Sequence, residues 1–100
     1  MNILYLNNSA FDICNYSDDK DELRKALSWI DIAMSMDPNP SAPMMDTKAN
    51  IIYKLGNREQ AILLEEQAAA LAPEAKDIQE VLTKMKKGES TWILPWQILQ

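Results

Sequence analysis

Little in this chain is equipped for covalent or acid–base chemistry. Histidine is absent and there is one cysteine, Cys14. Ser-His-Asp triads, Cys-His dyads and zinc sites built on histidine are therefore excluded within the chain. A single thiol closes no internal disulfide, and Cys14 falls on an apolar helical stripe, where cysteine usually acts as a small hydrophobe. The remaining candidates are carboxylates, densest at Asp18–Asp19–Asp21 and at Glu65–Glu66. A general acid needs a burial-raised pKa and a partner at a defined distance. Adjacent acids on a helix surface face different directions, so both groups are expected to be solvated. No catalytic residue, metal ligand or cofactor is expected.

Charge narrows the range of partners. Fifteen acidic and ten basic side chains leave a net charge of −5, which argues against nucleic acid, since phosphate neutralisation needs a basic patch. The densest basic stretch, Lys84, Lys86 and Lys87, falls at an expected helix end, where cations offset the helix dipole. No apolar run approaches the roughly 18 residues needed to span a bilayer. MNILYL lacks the basic leader of a signal peptide. The default expectation is cytoplasmic, with a periplasmic location open if the chain is a fragment of a secreted parent.

The elements that must position these groups are helical. Hydrophobic residues make up 47% of the chain and there are two glycines; Ala, Leu, Glu, Lys and Met, the strong helix formers, dominate long stretches. A first helix is predicted over about 4–17, with Leu6, Ala10, Ile13, Cys14 and Ser17 on one stripe. Asp19 and Glu22 form a capping box for a second helix reaching about Met36, stopped by Asp37–Pro38–Asn39–Pro40. A third spans about 42–55, with Gly56 as a left-handed cap. Asn57 and Gln60 offer another cap-and-box pair for a fourth helix, to about Leu71. A fifth covers about 74–87, with Ile78, Val81, Leu82 and Met85 as its apolar stripe, and Gly88 ends it. The short connections make neighbouring helices antiparallel.

Two of these units repeat. Ala26, Ala33 and Pro38 recur as Ala61, Ala68 and Pro73, an offset of 35 residues (26 to 61), and Asn15 falls opposite Asn50. A fixed period near 35 in helix-forming sequence marks a stacked helical repeat. The alanines fall where helix axes approach, and a larger side chain there would overpack at about 1–3 kcal/mol.

In Ala49, Gly56, Ala61, Ala68 and Pro73, and more loosely in Cys14, Asp21, Ala26, Ala33 and Pro38, the chain resembles the tetratricopeptide repeat family. Asp21 stands in place of the turn glycine and Lys48 in place of a leucine. The phrases DDKDELRKALSWIDIAMSMDPNPS, DTKANIIYKLGNREQAI and KMKKGESTW also resemble the helical repeat region of Bacteroidetes-type proteins that often accompanies a thioredoxin-like domain. The CxxC motif of such a domain is absent here. The resemblance implies an all-α domain over 1–90: about two antiparallel helical hairpins plus a closing helix, wound as a right-handed superhelix.

It also implies a function: non-catalytic binding of a peptide or protein in a concave groove. In that family the asparagine matched by Asn15 and Asn50 faces the groove and holds a peptide backbone. The other reading is that both asparagines satisfy neighbouring backbone groups. By helical spacing Phe11, Asp46, Tyr53 and Lys54 share that face. With Asp12, Asp18, Asp19 and Asp46 on it and Lys54 its main cation, a basic or apolar ligand is favoured over an acidic one.

The tail, 91–100, breaks the pattern. Trp92, Ile93, Leu94, Trp96, Ile98 and Leu99 are large and apolar, and Pro95 forbids a helix through them. Such a strip calls for cover, either a second copy, with Trp92, Leu94 and Trp96 anchoring a homodimer, or the stripe of Ile78, Leu82 and Met85. The alternative function is accordingly an assembly fragment of a larger thioredoxin-like thiol-disulfide protein, self-associating through this tail.

Overall fold

The computed structural model describes Ile13 and residues 19–91. Residues 19–91 hold four helices, α1 (Lys20–Ser35), α2 (Ala42–Lys54), α3 (Arg58–Leu71) and α4 (Lys76–Lys87). They pack as sequential antiparallel neighbours, α1 on α2, α2 on α3 and α3 on α4, and α4 also touches α2. The helix expected over 4–17 lies outside the described residues except for Ile13, which is helical and packs on the α1–α2 core.

Local chemistry sets most of the ends. The Asp19 side chain accepts from the backbone N–H of Asp21 at 2.8 Å and of Glu22 at 3.4 Å, capping α1 as the sequence predicts. Beyond α1, Asp37 accepts from the Asn39 N–H at 2.9 Å and turns the chain between the prolines. A proline in the first turn of α2 costs no hydrogen bond there. Gly56, at φ 103°, closes α2 with paired bonds from its own N–H to Tyr53 O and from Asn57 N–H to Ile52 O. Gly88, at φ 77°, closes α4 in the same way, with Met85 O and Lys84 O as acceptors.

Two predicted ends are corrected. Asn57 makes no side-chain cap bond to α3. Its backbone, at φ −93° and ψ 70°, is occupied by the closing turn of α2 and lacks the extended geometry from which a capping side chain accepts. The last helix begins at Lys76 rather than near Glu74, because Pro73 and Glu74 form a turn closed by Ala75 N–H to Ala72 O.

The core is built on small residues. Ala26, Ala33, Ala61 and Ala68, the four alanines of the repeat, and Ala49 are all fully buried. Ala26, Ile30 and Ala33 of α1 meet Met44 and Ile51 of α2. Ala49 and Ile52 of α2 meet Ala61 of α3 and Met85 of α4. Ala42, Ala68, Ala69 and Ile78 form a third cluster. Polar links cross the same seams. Lys48 Nζ lies 2.8 Å from Asp31 between α2 and α1. Arg58, at the start of α3, donates to Met85 O at 3.1 Å and to Lys86 O at the end of α4. Tyr53 donates its hydroxyl to Glu89 O at 2.8 Å.

Candidate functional site

The most unusual chemistry in the molecule lies where α2, α3 and α4 meet. Ala61 and Ala68 define the inner stripe of α3, and Glu65 falls between them at helical spacing. Its carboxyl therefore points into the interface, with no exposed surface. Among the described residues no group donates to either carboxyl oxygen. An isolated buried carboxylate is too costly to keep, so the group holds its proton. For the O–H of that acid form, the Asp46 carboxylate of α2 is the neighbouring acceptor.

Burial, that hydrogen bond, and the negative charges of Asp46 and Asp77 push the Glu65 pKa up to about 10. Burial also raises the Asp46 pKa, against the opposing pull of its hydrogen bonds from Glu65 and Asn50. The two carboxyls thus share one proton, held on the more deeply buried Glu65. The expectation that Glu65–Glu66 is a solvated pair is corrected by half: Glu66 is exposed and Glu65 is not.

Asn50 completes the cluster. It is 6% exposed, and its side-chain amide donates to Asp46 O at 2.8 Å and to Asp46 Oδ1 at 3.0 Å, one turn back on the same helix. The amide thus fixes the Asp46 carboxylate for its contact with Glu65. Of the other residues placed on the groove face by spacing, Asp46, Tyr53 and Lys54 all sit on α2 and are partly buried, and Tyr53 is bonded to Glu89 O. Phe11 and Asn15, and the tail residues Trp92, Leu94 and Trp96, lie outside the described residues.

Other features carry less chemistry. The surface depression at the α2–α3 turn is lined by Gly56, Asn57, Arg58, Glu59 and Gln60. All five are exposed, and the Arg58 guanidinium there is already engaged by α4. Among the described residues, no group of His, Cys, Asp and Glu is arranged to hold a metal ion, and no helix is long and apolar enough to cross a membrane.

The fold thus defines a small all-α domain with one fully buried acid, Glu65, beside the partly buried Asp46. In comparisons with known proteins, no family model matches this chain, and no curated protein or solved structure is significantly similar to it.

Proposed function

We propose that the chain is a non-catalytic binding module of the tetratricopeptide-like kind, which holds a peptide or protein segment against the face that α2 shares with its neighbours. The observation that carries this reading is the contact between α4 and α2 across the antiparallel α3. Touching alternate helices are what stacked helical pairs produce, and stacking leaves one row of alternate helices lining a concave surface. On α2 that row offers Asp46, Tyr53 and Lys54, with the buried Asn50 holding Asp46 in place, and the nearby charge is acidic, from Asp46 and Asp77. Such a face suits a basic or apolar segment. The buried acid supports a binding role over a catalytic one. A general acid has to come within hydrogen-bond reach of its substrate, and Glu65 has no exposed surface.

Fluorescence anisotropy with labelled basic, acidic and apolar peptides tests the reading. Binding is expected from the basic or apolar set. Tyr53→Ala, Lys54→Ala and Asn50→Ala are each expected to weaken it more than Glu66→Ala, a change on the exposed side of α3. The proposal fails if no set binds, or if the four variants bind alike.

A further inference from the structure

We propose that Asp46 and Glu65 form a proton-operated clasp between α2 and α3, which holds one proton in the folded state at neutral pH and gives it up when the two helices part. The geometry carries the argument. Glu65 is fully buried, and among the described residues no group donates to either of its oxygens. Its partner across the interface is Asp46, itself fixed by the Asn50 amide.

Of the described helices, only α2 and α4 pack against α3. From α2 the titratable group facing Glu65 is Asp46, and from α4 it is Asp77. Both are acids, so the charges acting on Glu65 add to the penalty of ionising it. With one proton between them, Asp46 and Glu65 attract. With none, two carboxylates face each other across a closed seam, with Asp77 as a third negative neighbour.

The direction of the effect follows from proton linkage. The folded chain binds the Glu65 proton more tightly than the unfolded chain, where the usual value is 4.5. Stability from the clasp is therefore complete below that value and is lost as pH climbs toward about 10. The composition makes this readable. Ordinary carboxylates finish titrating by about pH 5.5, the α-amino group and the thiol reach their midpoints only near about 8 and 8.5, and the chain has no histidine. Between about pH 5.5 and 7.5 a chain of this composition without the clasp would have nearly constant stability.

The test is urea denaturation of the full chain across that interval. One retained proton changes the unfolding constant by about tenfold per pH unit, or about a hundredfold over the interval. The wild type is expected to show that rise. E65Q is expected to be flat, because its amide donates to Asp46 whatever the pH. A flat wild-type profile, or an E65Q profile as steep as that of the wild type, overturns the proposal. Should E65Q not fold, the side-chain carboxyl carbon of Glu65 in the wild type decides by NMR. A protonated shift at pH 7 supports the clasp, and titration near the ordinary glutamate value removes it.

Discussion

Arg58 and Glu65 occupy the same helix and show opposite ways of meeting the cost of a polar group. Arg58 stays at the surface and turns its guanidinium to two carbonyls at the end of α4, Lys86 O and Met85 O, the second of which also accepts from the Gly88 N–H. These are charge-assisted bonds at the negative pole of a helix. Arg58→Met keeps the aliphatic stem and removes the donors, so it is expected to cost about 1.5–3 kcal/mol. A thermal denaturation midpoint unchanged from wild type would show that water replaces the donors without loss. Glu65 instead abandons its charge. Its position could have been read from the sequence, because Ala61 and Ala68 mark the stripe on which it falls. Treating Glu65 and Glu66 as a pair of adjacent acids hid that spacing. Nothing in the local sequence marks Asp46 as its partner, since the contact joins helices 19 positions apart (46 to 65) and depends on how they cross.

At the scale of elements, the helices were legible because each carries its own signals: apolar spacing inside, a proline or glycine at the end. The caps were legible only in part. Asp19 and Asn57 look alike in sequence, each followed three residues later by Glu22 or Gln60, yet only Asp19 caps. The difference lies upstream. Asn57 follows directly on Gly56, and its backbone is already committed to closing α2. Asp19→Ala is accordingly expected to cost about 1 kcal/mol of stability, whereas Asn57→Ala is expected to fall within the roughly 0.5 kcal/mol typical of neutral surface changes. Chemical denaturation of the two variants side by side checks this, and equal losses would mean that Asn57 caps α3 in solution. The later start of α4 has a similar origin. The residues after Pro73 have good helical propensity, but the Ala72–Ala75 turn takes them first.

At the scale of the whole molecule, the short connections correctly anticipate antiparallel neighbours, and the small residues anticipate the burial of all five alanines, because alanine at helical spacing reports close approach of helix axes. What neither reports is the partner. The apolar strip 92–99 remains the strongest pointer to self-association. Burying each of its large side chains is worth roughly 1.5–3 kcal/mol, which exceeds the ordering cost of so short a segment. Deleting residues 91–100 is expected to convert a dimer to a monomer on size exclusion. A chain that elutes as a monomer both before and after the deletion rejects the homodimer.

The fastening at the end of α4 has a consequence for how the native state comes apart. In a simple stack each unit leans only on its neighbour, and the ends fray independently. Here Tyr53 of α2 holds Glu89, and Arg58 of α3 holds Met85 and Lys86. Lifting α4 therefore breaks bonds to two helices at once. Among the described helices α1 touches only α2, so parting it from them opens one seam, whereas α4 is fastened at two.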